Sequence, residues 1–194
     1  MLSKYLQHKT IILASGSPRR QAFFAELDLE YTIQLKPIDE SFPDHLQGTQ
    51  ITDYLAQQKA AAFTNLQASD ILITSDTIVW FKDKALNKPE NKEEAFAMIS
   101  SLSGKTHQVI TSVCFTSLDK QVIVNDTTQV TFKELSQEEI NYYIDNYKPY
   151  DKAGGYGIQE WLGYIAVTHI EGSYFNVMGL PTHKVYETLM SLAD

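Results

Sequence analysis

The sequence predicts an α/β protein whose sheet is mixed rather than parallel throughout. Two observations carry this. Short apolar runs of strand length alternate with amphipathic stretches of helix length over the first hundred residues, which is the pattern of βα units. Two β-rich runs, "THQVITSVCFTSL" and "QVIVNDTTQVTFKEL", then follow one another directly across Asp119-Lys120, so a long hairpin interrupts the alternation. A chain of 194 residues favours one large domain or two closely packed lobes.

In chain order, "TIILA" reads as a strand. Ser17 can cap the helix that follows, and Pro18 suits its first turn, where a missing N–H costs nothing; that helix runs to about Leu27. "EYTIQLK" alternates as a strand does, and "SFPDHLQGT" is a loop. "QITDYLAQQKAAAFTNL" carries a helical stripe at Ile51, Tyr54, Leu55 and Lys59 or Ala62. "DILITSDTIVWF" is a strand of the buried type with one acidic interruption, Asp76. Asn91 with Glu94 forms a capping box for the helix "KEEAFAMISSL", which Ser103-Gly104 ends. After the hairpin, Ser136 and Glu139 form a second box for "QEEINYYIDNY". The glycine-rich loop "YDKAGGYGIQE" leads to a strand "GYIAVTHI", and a last helix, "LPTHKVYETLMSLAD", closes the chain.

With 43% hydrophobic residues the chain can bury a substantial core, so disorder is not expected. An excess of 24 Asp and Glu over 16 Lys and Arg, net charge -8, argues against a general binder of nucleic acid or anionic membrane, which needs a basic face. Any anionic ligand must be met locally. The single cysteine, Cys114, excludes an internal disulfide and a multi-cysteine metal site, and in "VITSVCF" it reads as a buried small side chain. The N-terminal "MLSKYLQHKT" lacks the apolar core of a signal peptide, and no apolar run approaches the ~18 residues that span a bilayer. A cytoplasmic soluble protein with no membrane partner is expected.

The stretch "IILASGSPRRQAF" raises the first functional question, because it places Arg19 and Arg20 where a strand turns into a helix. Serines and a glycine at that junction expose backbone N–H groups at the positive end of the helix dipole. An anion fits there, and arginines in the first turn can fork onto phosphate oxygens; a plain surface helix start with two solvated arginines fits this stretch equally well. Asp76 is the second question: a carboxylate inside an apolar strand needs an ion-pair partner, hydrogen bonds or a metal. It is either a structural aspartate bonded to a neighbouring loop or a ligand for a hard cation such as magnesium, with Asp39-Glu40 supplying further oxygen. Lys59, Lys88 and Lys152 complete a triphosphate-sized set of cations, although each alone reads as a solvated lysine. Lys59 is the strongest of the three, since it falls on the apolar stripe of its helix.

Other signatures fail. "SGKT" at 103–106 mimics the end of a P-loop, but Ile99 stands where that motif needs its first glycine. "GGYGIQE" places Glu160 where a dinucleotide fingerprint needs its third glycine. His8, His45, His107, His169 and His183 show no metal-ligand spacing.

Eight segments in order, "LASGSPRR", "IDE", "QQKA", "SDTIV", "NKP", "LSGKTHQVITSV", "DKAGGYGIQ" and "GSYFNVMGLP", resemble the Maf family of nucleoside triphosphate pyrophosphatases over nearly the whole chain. The resemblance implies a single domain over 1–194 with the Maf/Ham1 (ITPase-like) α/β fold: an elongated mixed sheet flanked by helices, two lobes, a central cleft and often a homodimer. It implies hydrolysis of a nucleoside triphosphate between the α- and β-phosphates, with a divalent cation (magnesium, manganese or cobalt). The family's site falls on Ser15, Arg19 and Arg20, on Glu40 and Asp76 as metal ligands, on Asp76 as proton acceptor, on Lys59 and Lys88, and on Asp151, Lys152 and Gln159. Arg19, Thr77 and Gln159 match the branch selective for dTTP and UTP, and an amide at 159 offers the donor and acceptor that the imide edge of uracil or thymine needs. Removal of noncanonical nucleotides is the role expected; the alternative is a nucleotide-sensing regulator of septum formation with incidental turnover. Two residues depart from the family pattern: Glu160, where many relatives have glycine, and Lys148, where an acidic residue is common.

Overall fold

The computed structural model describes residues 1–193. The chain runs α1 (Leu2–Tyr5), β1 (Thr10–Leu13), α2 (Pro18–Glu26), β2 (Tyr31–Ile33), α3 (Thr49–Ala61), β3 (Asp70–Phe81), β4 (Lys84–Leu86), α4 (Lys92–Leu102), β5 (Thr106–Thr116), β6 (Gln121–Phe132), α5 (Gln137–Tyr147), a 3-10 turn at Ala153–Gly155, α6 (Trp161–Ala166), β7 (Val167–Glu171), α7 (Tyr174–Val177) and α8 (Thr182–Ser191). Among these residues the strands form a seven-stranded sheet ordered β2-β1-β3-β5-β6-β7, with β4 beside β3. The expected mixture is present: β1 pairs in parallel with β2 and β3, while β3–β4 and β6–β7 are antiparallel. Neighbours β5 and β6 are joined by residues 117–120 alone, a link that only an antiparallel hairpin permits. Ser117 N donates to Lys120 O across it at 2.9 Å.

The chain divides into two compact units, one of 1–76, 111–126 and the segment from Gly179 onward, the other of Thr77–Ile110 and Thr127–Met178. In the first, Ile11, Ile12 and Leu13 of β1 lie in register with Ile71, Leu72 and Ile73 of β3, which makes a fully apolar centre. Ala56 and Ala60 bring α3 close against Ile12, Leu72 and Cys114, and Cys114 is buried as expected. Thr74 Oγ1 donates to Ala56 O at 2.6 Å, so the hydroxyl inside β3 is satisfied by the helix. In the second unit α4 packs against α5 and the 3-10 turn, and Ile99, Leu102, Ile140, Tyr143, Ile144 and Leu162 share one core with Phe132 and Tyr156.

Several local readings are corrected. Residues 163–166 are helical, not strand; Leu162 and Ala166, one helical turn apart, are both wholly buried, and an apolar run this short carries no usable period. The turn seats tightly, because a Cβ on Gly163 would lie 1.8 Å from Ile158 O. Ser17 is the N-cap of α2, but its side chain caps nothing; its own N–H donates to Ser15 Oγ at 3.3 Å. The box at Asn91 is half closed: Asn91 accepts from Glu94 N, whereas Glu94 Oε2 accepts from Glu90 N. The box at Ser136 and Glu139 is complete. Helix α3 stops at Ala61, short of the expected Leu66, and β2 is confined to three residues. The last helix ends at Ser191, and the expected extension to Asp194 reaches outside the described residues. No described helix is long and apolar enough to cross a membrane.

Candidate active site

The first unit gathers Ser15, Arg20, Glu40, Lys59 and Asp76 into one cluster: α2, α3 and β3 deliver Arg20, Lys59 and Asp76, and two loops deliver Ser15 and Glu40. Beyond β1, Ala14 N still donates to Ile73 O at 2.9 Å, which carries the chain to a buried Ser15 beside β3. Arg20, in the first turn of α2, donates from Nε to Gly179 O at 2.8 Å and from an Nη to Ser75 O at 3.1 Å and Ser15 Oγ at 3.5 Å. Lys59 comes from the last turn of α3. Its ammonium bonds Asp76 Oδ1 at 2.7 Å and Glu40 Oε1 at 2.9 Å.

Burial lowers the Arg20 guanidinium to about 10; the Asp76 and Glu40 carboxylates oppose the shift and Arg19 adds to it. At neutral pH it is still a cation. Arg19 is half-buried beside it at the start of α2. Asp76 is 8% exposed, and a carboxylate so placed needs the partner that the Lys59 ammonium provides. Lys59 donates to Asp76 through Oδ1, and the adjacent Ser75 Oγ is buried without a partner. Of the partners that a carboxylate inside an apolar strand needs, the structure shows an ion pair with Lys59 of α3. Asp39 does not join it: its Oδ1 accepts from Ser41 N at 2.9 Å in a local turn.

The second unit holds the other predicted residues. Thr77 follows Asp76 on β3 and is half-buried, with its side chain on the opposite strand face. Lys88 is exposed on the loop after β4. That loop is tied to the glycine-rich segment, since Gly154 N donates to Asn87 O at 3.1 Å. Gly154 has φ +68°, and a Cβ there would lie 2.7 Å from Val79 Cγ2, so only glycine fits. Lys152 is buried, and its ammonium bonds Asp151 Oδ1 at 2.7 Å and Glu160 Oε1 at 3.0 Å. Gln159 is half-buried at the end of the segment.

Sequence reasoning missed Gly179, whose carbonyl anchors Arg20, and Tyr143, whose phenol donates to Glu160. A backbone acceptor leaves no sequence signal. Tyr143 did leave one, because Ile140, Tyr143 and Ile144 mark the buried stripe of α5. Lys148 has φ 47° at the C-cap of α5, a conformation that an acidic residue other than Asp would not relieve. The P-loop mimic is excluded by structure as well: Lys105 O accepts from Phe132 N, so "SGKT" lies in a turn tied to β6.

Whether a divalent cation fits can be judged from the donors. No group of three or more His, Cys, Asp or Glu converges among the described residues. Glu40 and Asp76 do converge, since both reach one ammonium. Two carboxylates suit magnesium-like ions, which draw their remaining ligands from waters and substrate phosphates.

A mixed sheet flanked by helices, with half-buried arginines at a strand–helix junction and a buried carboxylate paired to a lysine, defines the class as an α/β protein. The fold matches a HAM1 protein from Coxiella burnetii with TM-score 0.50, 94% of this chain and 99% of that chain being covered at 13% identity. The family model described as Maf-like protein matches residues 10–192, and the chain belongs to this family. It is 59% identical over 193 residues to a protein of Flavobacterium johnsoniae named dTTP/UTP pyrophosphatase, covering 99% of this chain and 100% of that one. A protein of the same name from Parabacteroides distasonis is 51% identical over 191 residues, covering 97% of this chain and 98% of that one.

Proposed function

We propose that the protein hydrolyses dTTP and UTP to the nucleoside monophosphate and pyrophosphate. The observation that carries this reading is the Asp76 carboxylate held by Lys59 beside Arg20, at a junction made for phosphate. The names borne by the full-length relatives support the same reaction.

Water attacks the α-phosphorus, the bond from that phosphorus to the α,β-bridging oxygen breaks, and pyrophosphate departs. Asp76 accepts the proton of the attacking water through Oδ2, while Lys59 fixes the carboxylate through Oδ1. Arg19 and Arg20 offset the negative charge of the triphosphate, the dominant requirement in phosphoryl transfer. Ser15 orients the junction by accepting from Ser17 N and Arg20. Glu40 and Asp76 are the residues that would hold a divalent cation, which supplies charge neutralisation at the phosphates when bound. Lys88 joins Lys59 in the catalytic set, Lys152 is assigned to neutralising the triphosphate, and Asp151, Thr77 and Gln159 to substrate binding and specificity, as the family resemblance implies. The fold and family are compatible with a cytoplasmic enzyme acting on free nucleotides, alone or as a homodimer.

The test is pyrophosphate release from a panel of nucleoside triphosphates with magnesium, manganese or cobalt, using wild type and Asp76→Asn. Asparagine keeps the size and one acceptor for Lys59, so the variant folds. Its turnover is expected to fall by at least about a thousandfold, in keeping with loss of a positioned base and of charge at the reacting phosphate. Turnover within tenfold of wild type overturns the role of Asp76, and no release from any triphosphate moves the protein to the regulatory alternative.

A further inference from the structure

We infer that Glu160 is a positioning residue for Lys152, an assignment that rests on the triphosphate reading above. Lys152 is 8% exposed, and a charge so placed needs partners. Its two carboxylate partners differ in exposure. The Asp151 side chain is 60% exposed, whereas that of Glu160 is 20% exposed and its Oε2 accepts the phenolic proton of Tyr143. Tyr143 is wholly buried in α5, and its oxygen in turn accepts from Gly157 N at 3.0 Å. Burial, reinforced by the Glu160 carboxylate, pushes the phenol's pKa up, so it stays the donor.

The backbone is shaped around this chain of bonds. A Cβ on Gly157 would lie 2.8 Å from Gln159 Nε2 and 3.0 Å from Glu160 Cδ, so both side chains fold back over a residue that has none. Glu160 is also the N-cap position of α6, yet its side chain caps nothing there and is turned to Lys152 and Tyr143. A rigid helix thus clamps Glu160, and Glu160 clamps the ammonium. A free lysine would lose rotamer freedom on meeting phosphate, and one held in place beforehand does not.

Two roles for this carboxylate predict opposite signs. If Glu160 acted only as a competing negative charge, neutralising it would tighten phosphate binding. If it positions Lys152, neutralising it weakens binding. The Glu160→Gln variant keeps shape and separates them. Steady-state pyrophosphate release from dTTP with magnesium is measured for wild type, Glu160→Gln, Tyr143→Phe, Lys152→Ala and the two doubles that contain Lys152→Ala, with thermal midpoints recorded alongside.

Positioning predicts that Glu160→Gln lowers kcat/KM about tenfold, chiefly through KM, and that the same step costs less than about twofold once Lys152 is alanine. Tyr143→Phe, which leaves both charges intact, is expected to repeat this non-additive pattern, and it carries the test if Glu160→Gln proves unstable. A tenfold loss that persists in the Lys152→Ala background, or a gain in Glu160→Gln, overturns the assignment while leaving the functional reading in place. A wild-type protein that releases no pyrophosphate from dTTP or UTP overturns the functional reading itself, and the assignment falls with it.

Discussion

His107 gives the fold a defined weakness to acid. The side chain is 2% exposed, and it stands edge-on to Phe132 and Tyr156 at ring-centroid distances of 4.9 and 5.5 Å. Its Nε2 shares a 2.7 Å hydrogen bond with the Tyr156 phenol, whereas Nδ1 is buried without a partner. Burial lowers the imidazole to about 4 from 6.5, because nothing nearby compensates the charged form. The unfolded chain therefore binds a proton near pH 6.5 that the folded chain refuses until about pH 4. The contribution is complete above pH 6.5 and is lost as pH falls toward 4. At ~1.4 kcal/mol per unit, the drop from pH 6.5 to 5 removes about 2 kcal/mol, and the whole window about 3.5 kcal/mol. Urea unfolding at intervals from pH 7.5 to 5, above most carboxylate titration, measures it. The His107→Gln variant is expected to be less stable at neutral pH and to lack this component of the slope. Parallel stability profiles for the two proteins would refute the burial argument.

Other perturbations separate structural from chemical roles. Gly154→Ala forces a side chain into φ +68° and against Val79 Cγ2 at 2.7 Å, and chemical denaturation is expected to show a loss of about 2–4 kcal/mol. A loss below 1 kcal/mol would mean that the turn moves freely. Lys59→Met leaves the buried Asp76 and the half-exposed Glu40 without their shared cation, at a cost of about 2–3 kcal/mol in denaturant unfolding. Adding Asp76→Asn to Lys59→Met is expected to recover part of that stability but no activity; strict additivity of the two changes would sink the paired-charge account.

The elements that followed from sequence were those in which burial has a readable period. The long β3, the hairpin of β5 and β6, and helices α4 and α5 satisfy that condition, and their caps or turns sit within one or two residues of the expected positions. The failures are short. Residues 161–166 make barely two helical turns, so burial of Leu162 and Ala166 looks the same as one edge of a strand. Helix α3 stops at Ala61 although alanines continue to Ala62, and α8 begins at Thr182 after a proline whose side chain caps nothing. In each case tertiary packing sets the boundary, and intrinsic propensity does not.

The candidate site divides along a similar line. Asp76 was legible because a carboxylate breaks an apolar pattern, and Lys59 because it stands on an apolar helix stripe; both anomalies mark a charge that must be paired inside the protein. Glu160 breaks no apolar pattern, since a carboxylate in a glycine-rich loop is unremarkable, and it stands out in sequence only where many relatives have glycine. Its role depends on Tyr143, seventeen positions earlier in sequence, whose buried phenol has to find an acceptor. Tyrosine on a buried stripe could therefore have been read as a demand for a partner, but not as a demand for Glu160 in particular. Asp151, Glu160 and the half-buried Gln159 were equally available to sequence reasoning, and the structure distinguishes Glu160 by the bond its carboxylate accepts from Tyr143. A lone charge in an apolar run identifies itself, whereas a loop charge acquires its function from the side chain that burial sets against it.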